Sequence, residues 1–259
     1  MLLENNVSPE HPLAEFATLV LGIALIGLGI LLAAWLAVEG AVRFLPASLE
    51  QRVFTGAAGS RSPELSALLE RLVQHWPERG YTLEVGIAAL DAPNAFALPG
   101  GQVLVTSALL EQTGSENELA FVLAHELGHV AGRHPLRALG RGLLLSLALG
   151  AIGSTEGASV AASAAALGER SFSREQERAA DRFGLALVAA EYGHVAGATD
   201  FLRRLPDAQD ARAASRAASW LATHPRSVDR VAELEGLARQ QGFLTEGELS
   251  PLPPGLRAP

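Results

Sequence analysis

The stretch His125-Glu126-Leu127-Gly128-His129 decides the fold that we expect for this chain. It holds two histidines one helical turn apart, with a carboxylate beside the first. Residues i and i+4 lie on one face of a helix, so His125 and His129 can bind one metal ion together. Glu126 then lies where it can act as general base towards a water on that metal. The pattern predicts a metal-dependent hydrolase whose site lies in mid-helix.

The local sequence supports a helix around this stretch. Ser115 and Glu118 form an S-x-x-E capping box just after Gly114. Apolar residues then recur at helical spacing, namely Leu119, Val122, Leu123, Leu127 and Val130. Two histidines packed in a core, or lying on a solvated helix face, would fit the same pattern without any metal. The rest of the site therefore has to be found elsewhere in the chain.

A catalytic zinc ion needs a third protein ligand and an open fourth position for water. The segment Ser173–Asp181 is the best source of that ligand, because Glu177 and Asp181 are four residues apart and share a helix face. Glu177 can bind the metal, and Asp181 can accept the free ring N–H of a ligating histidine. The alternative is a solvated charged helix with Glu–Arg pairs.

A third segment contains His224 and Pro225, followed by Arg230. Pro225 restricts the residue before it to extended backbone and ends the preceding helix, and a helix resuming near residue 226 would carry Arg230. An imidazole and a guanidinium can stabilise the oxyanion of a tetrahedral intermediate. We therefore predict that His224 and Arg230 assist Glu126 in catalysis. A helix-ending His-Pro pair with an ordinary surface arginine is the alternative.

These three segments, in this order, resemble the M48 family of zinc metallopeptidases, which carries H-E-x-x-H, a distant E-x-x-x-D helix and an H-P-x-x-x-x-R segment. The resemblance covers roughly residues 60–240 and is strongest to the Oma-type group. It implies an α+β, mostly helical, zincin-type domain with a small β-sheet beside the active-site helix. It also implies one Zn²⁺ per chain, bound by His125, His129 and Glu177, and protein or peptide substrates.

The sequence at residues 94–106 is also similar to the family, where it supplies a strand beside the active-site cleft. Strands are predicted at residues 83–90, 95–98 and 102–106, bounded by Pro93 and by Pro99-Gly100-Gly101. We expect the last of these strands to align an extended substrate by backbone pairing. The predicted substrate strand consists of Gln102, Val103, Leu104, Val105 and Thr106.

The N-terminal region predicts a membrane anchor. Residues 17–38 run without a charge, and such a length crosses the roughly 30 Å hydrocarbon core of a bilayer. Mean hydropathy is +0.22, which is high for a wholly soluble protein. A cleaved signal peptide is the alternative, but no Lys or Arg precedes the apolar run. The prediction is one uncleaved N-terminal transmembrane helix in contact with the lipid bilayer.

We expect a single-pass protein of a bacterial inner membrane, but two arguments on its orientation disagree. Arginines at positions 43, 52 and 61 follow the apolar run, which by the positive-inside rule places the catalytic domain in the cytoplasm. Members of the Oma-type group, in contrast, usually carry theirs outside the cytoplasm. The side of the membrane stays open.

The remaining organisation follows from composition. We predict a polar leader at 1–16, the transmembrane helix at 17–38, a linker at 39–60, the metallopeptidase domain at 61–242 and a disordered proline-rich tail at 243–259. Within an insert at 143–168, the hydrophobic stretch Leu143–Ile152 is only about ten residues long, which is too short to cross a bilayer, and it continues into a segment rich in small residues. The insert is either a helical hairpin packed on the core or on the membrane surface, or a lid over the cleft.

The net charge of −8 and the absence of a basic cluster exclude nucleic-acid binding. The chain has no cysteine, so cysteine nucleophiles are excluded as well. The predicted function is a membrane-anchored zinc endopeptidase, with a role in membrane or envelope protein quality control implied by the resemblance. One alternative is a membrane-tethered, chaperone-like zinc module with little turnover. Another is a structural zinc site closed by a fourth protein ligand, for which His134 and His194 are the spare histidines.

Overall fold

In a computed structural model of the chain, residues 11–56, 59–151, 172–204, 224 and 230–256 are described, with backbone alone at 145 and 147–151. The helices in this part of the chain are α1 (Pro12–Phe44), α2 (Ala47–Val53), α3 (Pro63–Gln74), α4 (Ser107–Gln112), α5 (Glu116–Ala131), α6 (His134–Ala151), α7 (Arg174–Tyr192), α8 (Asp200–Arg204) and α9 (Arg230–Gln240). The strands are β1 (Glu84–Ala88), β2 (Ala95–Leu98) and β3 (Gln102–Thr106). This confirms the mostly helical α+β class.

The three strands form one sheet in the order β1-β3-β2. Strand β1 pairs with β3 in parallel, with Val85 opposite Val103, whereas β2 pairs with β3 antiparallel, with Ala97 opposite Val103. The predicted substrate strand at 102–106 is therefore the central strand, and both of its edges are already paired. This corrects the prediction that β3 aligns the substrate, because a strand paired on both sides has no free backbone groups to offer.

Helix α5 lies in the middle of the domain, between the sheet and α7. Its N-cap Ser115 accepts a hydrogen bond from the Glu118 N–H at 3.2 Å, while the Glu118 carboxylate accepts from Gly114 instead of closing the predicted capping box. Every residue from Glu116 to Val130 is buried. The helix that carries the H-E-x-x-H motif is thus covered on all sides, which suits a rigid metal site.

Helices α5 and α7 approach each other closely at Gly128. A Cβ added at Gly128 would lie 2.7 Å from the Cα of Ala180, a distance that real Cβ atoms do not show. Gly184 makes a similar approach on α7, where an added Cβ would lie 3.1 Å from the His125 backbone nitrogen. The glycines let the two helices pack backbone against backbone. This brings the His125 and His129 side chains to those of Glu177 and Asp181.

Helix α1 is long and apolar enough to cross a membrane, as judged from its length and composition. Its large apolar side chains are exposed along most of its length, for example Ile23 at 70% and Ile30 at 64%. It runs from Pro12 to Phe44 and so extends beyond the predicted span on both sides. The predicted leader is described only from residue 11, where His11 caps α1 through a hydrogen bond from the Leu13 N–H.

The predicted linker at 39–60 is largely helical and docked on the domain. Helix α1 continues to Phe44, and α2 follows after a short break. Glu50 of α2 is buried and accepts hydrogen bonds from the Gly100 N–H at 2.9 Å and from the Tyr81 hydroxyl at 2.7 Å. A buried carboxylate with such partners fixes α2 to the β2–β3 turn.

Residues 243–256 are packed against the core, which corrects the prediction of a disordered tail over the described part of 243–259. Leu252 and Leu256 are buried at 3% exposure each. The Glu116 N–H donates to the Ser250 carbonyl at 2.9 Å, and the Ser250 N–H donates to the Asn117 side chain at 2.8 Å. Prolines between the leucines fix φ, which lowers the entropy lost when the segment is ordered. The prediction of disorder rested on the proline content and did not take account of the leucines that the segment buries.

Candidate metal centre

Donor atoms of three residues on α5 and α7 converge in the centre of the domain. The Nε2 atoms of His125 and His129 lie 3.1 Å apart. Glu177 Oε1 lies 3.3 Å from His129 Nε2, and its Oε2 lies 3.5 Å from His125 Nε2. Ligands about 2.0–2.1 Å from a tetrahedral zinc ion are separated by roughly 3.3 Å. The donor set and its spacing therefore fit a single metal ion.

His224 supplies a fourth donor to the same cluster. Its Nδ1 lies 3.3 Å from His125 Nε2 and 3.0 Å from Glu177 Oε1. The ligand atoms of His125, His129, Glu177 and His224 all lie within 4.8 Å of one another, and all four residues are buried. His224 therefore lies where a fourth ligand would bind. The sequence predicted a fourth protein ligand only as an alternative, and it proposed His134 or His194 for that place.

The ionisation of the ligands depends on their neighbours. Burial opposes the charge on Glu177, but His224, His125 and His129 lower its pKa well below the usual range. Burial alone would lower the pKa of His125, yet its hydrogen bonds to Asp181 and Glu177 raise it to about 9. The raised pKa favours the protonated form of His125 in the metal-free protein. A metal ion has to displace that proton when it binds.

Asp181 lies where the sequence predicted it, one helical turn after Glu177. Its Oδ1 is 2.9 Å from Nδ1 of His125, the ring nitrogen that faces away from the donor cluster. Burial would raise the pKa of Asp181, but Arg230 and His125 lower it to about 2. The carboxylate is therefore ionised and can fix the orientation of the His125 ring.

Arg230 is buried at 4% exposure and binds the carboxylates. Its Nε and Nη2 donate to the two oxygens of Asp181 at 2.9 and 2.7 Å, and its Nη1 lies 3.1 Å from Glu177 Oε2. This two-point pairing uses the flat guanidinium as a fork. The prediction of an oxyanion-binding arginine differs from this geometry, in which the guanidinium is engaged by Asp181 and Glu177.

Glu126 lies beside the donor cluster and is held in place by a hydrogen bond from strand β2 of the sheet. Its Oε2 accepts a hydrogen bond from the Ala97 N–H at 2.7 Å. Its Oε1 is buried and has no hydrogen-bond partner among the residues that the structure describes. Nε2 of His224 lies 3.4 Å from this oxygen. An oxygen in this position can accept a proton from a water bound in the cluster.

Two further side chains surround His129, and sequence reasoning missed both roles. The ring of Phe172 stacks on the His129 ring with centroids 3.9 Å apart. His134 Nδ1 lies 2.9 Å from His129 Nδ1. Neither contact has a signal in the sequence, because a helix break separates His134 from α5 and Phe172 adjoins the insert. Within the insert, residues up to 151 continue α6, and the prediction for 152–168 lies outside the described residues, as does that for Pro225.

Comparison with known proteins agrees with this site. Residues 60–238 match the sequence profile described as Peptidase family M48. The chain belongs to this family. Because the family is one of metallopeptidases and relatives are named as metalloendopeptidases, the domain is assigned to the metalloendopeptidases.

Three relatives illustrate the match. The chain is 36% identical over 166 residues to the "Putative beta-barrel assembly-enhancing protease" of Vibrio cholerae, covering 57% of this chain and 33% of the relative. It is 32% identical over 190 residues to the Escherichia coli "Beta-barrel assembly-enhancing protease", covering 68% and 38%. It is 27% identical over 169 residues to human "Metalloendopeptidase OMA1, mitochondrial", covering 60% and 32%. The chain spans about a third of the length of these curated relatives.

Proposed function

We propose that this chain is a membrane-anchored, zinc-dependent endopeptidase that hydrolyses peptide bonds of protein substrates in membrane or envelope protein quality control. The observation that carries this proposal is the position of Glu126, whose buried Oε1 lies beside the converged donors of His125, His129 and Glu177. A purely structural site would not need a buried carboxylate with an open acceptor at this place.

Zinc is the metal that this donor set favours, because two imidazoles and one carboxylate are a common ligand set of catalytic zinc. When bound, zinc lowers the pKa of a water ligand towards 7 and polarises the scissile carbonyl. Asp181 holds the His125 ring in the tautomer that leaves Nε2 free for the metal. Arg230 pairs with Asp181 and Glu177 and holds both carboxylates in place.

Proton transfer falls to Glu126. The Ala97 N–H fixes its Oε2, which leaves Oε1 to take a proton from the attacking water and pass it to the leaving amine. His224 Nε2 lies 3.4 Å from the same Oε1, and its Nδ1 lies at the fourth ligand position. If a bound water took the fourth ligand position, the N–H of the neighbouring His224 ring could stabilise the developing oxyanion.

The outer edge of β2 is the place for the substrate backbone. The Ala97 N–H reaches Glu126 and so is directed away from β3, and the carbonyl of the same residue lies on the same edge. Strand β2 is the edge strand beside α5, whereas β3 is paired on both sides. An extended peptide that adds to β2 would place its scissile bond beside Glu126 with few demands on its side chains.

The contacts of α1 support an uncleaved anchor. The Arg133 guanidinium donates to the carbonyls of Val42 and Leu45 at the end of α1. Glu39 of α1 pairs with Arg137 at 3.0 Å and with Arg141 at 2.9 Å on α6. A helix removed as a signal peptide has no need of partners in the mature domain. The relatives' names, which include beta-barrel assembly-enhancing proteases, support a role in envelope quality control.

The test uses the full chain purified in detergent, with casein as an unfolded substrate. Wild type, Glu126→Gln and chelator-treated wild type are compared, and the zinc content of each is measured. We expect cleavage by untreated wild type alone, with zinc retained by Glu126→Gln at wild-type stoichiometry. The glutamine keeps the shape and the Ala97 contact but cannot accept the water proton. Cleavage by Glu126→Gln at the wild-type rate would refute the mechanism.

The position of His224 also favours a second candidate, a zinc site closed by four protein ligands in a module with little turnover. A His224→Ala variant separates the two. If the site is catalytic, zinc stays bound through the remaining three ligands. If the site is structural, zinc affinity falls sharply and no variant cleaves casein.

A further inference from the structure

His134 lies directly behind the ligand His129. The two Nδ1 atoms are 2.9 Å apart, and both side chains are buried. His129 Nε2 belongs to the donor cluster, so a neutral His129 with Nε2 on a metal carries its ring proton on Nδ1. The contact therefore has one direction, in which His129 Nδ1–H donates and His134 Nδ1 accepts.

The turn between α5 and α6 places the His134 ring in this position. A Cβ added at Gly132 would lie 2.3 Å from His134 Nε2, so Gly132 leaves the room that the ring occupies. Arg133 has a φ of 52°, a left-handed conformation that is strained for a residue other than glycine. Its guanidinium binds Glu50 and the Val42 carbonyl, which holds the residue in that conformation. The conformation of this turn therefore places the His134 ring against His129.

We propose that His134 is a positioning residue, which orients the metal ligand His129 by accepting its Nδ1–H. The proposal rests on the metal site described above. Each ligating histidine then has its own partner on the outer ring nitrogen, with Asp181 serving His125 and His134 serving His129. Such partners fix the ring orientation and the tautomer, and their loss typically lowers metal affinity about 10–100-fold.

Two substitutions of nearly equal shape separate this role from packing. In His134→Asn the amide oxygen occupies the place of Nδ1 and can accept the same hydrogen bond. His134→Leu puts a methyl group there and accepts nothing. The detergent-purified full chain is titrated with zinc against a chromophoric chelator, and thermal unfolding of each metal-free variant is followed by circular dichroism.

We expect a zinc dissociation constant raised about 10–100-fold in His134→Leu and within about threefold of wild type in His134→Asn. The metal-free variants should unfold within a few degrees of one another. His75→Leu is the control, because His75 contacts Glu191 away from the metal site and should leave the zinc affinity unchanged. Gly132→Ala should reproduce the weaker binding of His134→Leu, because its Cβ displaces the His134 ring.

Wild-type affinity in His134→Leu would overturn the proposal, and so would equal losses in the leucine and asparagine variants, which indicate packing. A failure of wild type to bind zinc would instead refute the proposed metal site itself. The two failures are distinguishable because the wild-type titration is read before any variant.

Discussion

Replacing Gly128 by alanine perturbs the contact that joins the two ligand-bearing helices. The new Cβ would lie 2.7 Å from the Cα, 3.0 Å from the carbonyl oxygen and 3.1 Å from the Cβ of Ala180. Ordinary contact begins near 3.4 Å, so α5 and α7 would have to separate by about 0.7 Å. The two closest atoms are backbone and the third is a methyl, so no side chain can rotate away. The helices themselves must move.

Overpacking of this kind costs about 1–3 kcal/mol, and the gain in helix propensity from glycine to alanine returns at most about 1 kcal/mol. We expect a net loss of roughly 1–2 kcal/mol of unfolding free energy, which lowers Tm by about 2–8 °C. Metal sites tolerate ligand displacements of only about 0.2 Å. Because His129 and Glu177 lie on opposite sides of the contact, zinc affinity should fall at least about tenfold.

The assay is thermal unfolding of the metal-free full chain in detergent, together with a zinc titration against a chelator. Gly236→Ala in α9 is the matched control, since an added Cβ there meets nothing within 4 Å. It should raise the unfolding free energy by about 0.5–1 kcal/mol and leave zinc affinity unchanged. If Gly128→Ala matched Gly236→Ala in both measurements, the close packing of α5 on α7 would be refuted.

Three further predictions concern a substitution in the C-terminal segment, the stability of the protein at low pH and its stabilisation by zinc. Leu256→Ala should cost about 2–5 kcal/mol of unfolding free energy, because Leu256 is buried, whereas a disordered tail would give no change in Tm. In the metal-free protein the depressed pKa of Asp181, about 2 against 3.8, contributes stability that is present above pH 4 and lost as the pH falls towards 2. Denaturant titrations at a series of pH values should therefore show that the unfolding free energy falls by about 2 kcal/mol over that range. The Asp181→Asn variant should show a smaller dependence of unfolding free energy on pH. Zinc at a hundredfold excess over its dissociation constant should stabilise the wild type by about 2.7 kcal/mol, and a chelator should remove that gain in a thermal scan.

That the candidate donor residues would come together was predictable, because their local spacing indicates which side chains share a helix face. His125 and His129 share a helix face by the period of the helix alone, and Glu177 and Asp181 do so on a second helix. The three strands were also predicted near their observed positions from turn residues and β-branched runs. In each of these cases a short-range rule sufficed, and the family resemblance joined the segments.

Long-range pairing was not predictable in the same way. Nothing in the sequence of residues 102–106 distinguishes a central strand from an edge strand, because that depends on the order β1-β3-β2. The contact of His134 with His129 depends on the left-handed backbone at Arg133, which no residue preference indicates. The position of Arg230 against Asp181 is likewise fixed by packing between α9 and α7, so its predicted role in oxyanion binding was drawn from residue type alone.

The charges of the buried centre explain why Arg230 belongs with the metal ligands. Glu126, Glu177 and Asp181 place three carboxyl groups in one buried region, and Arg230 forms ion pairs with two of them, Glu177 and Asp181. A divalent cation together with one guanidinium would balance three carboxylates, whereas the cation alone would leave one buried negative charge. In the metal-free protein the raised pKa of His125 supplies part of the missing positive charge. Buried charges are tolerated when they are paired, so the same arginine that orients Asp181 also offsets the negative charge that the three carboxyl groups bring together beside a bound metal.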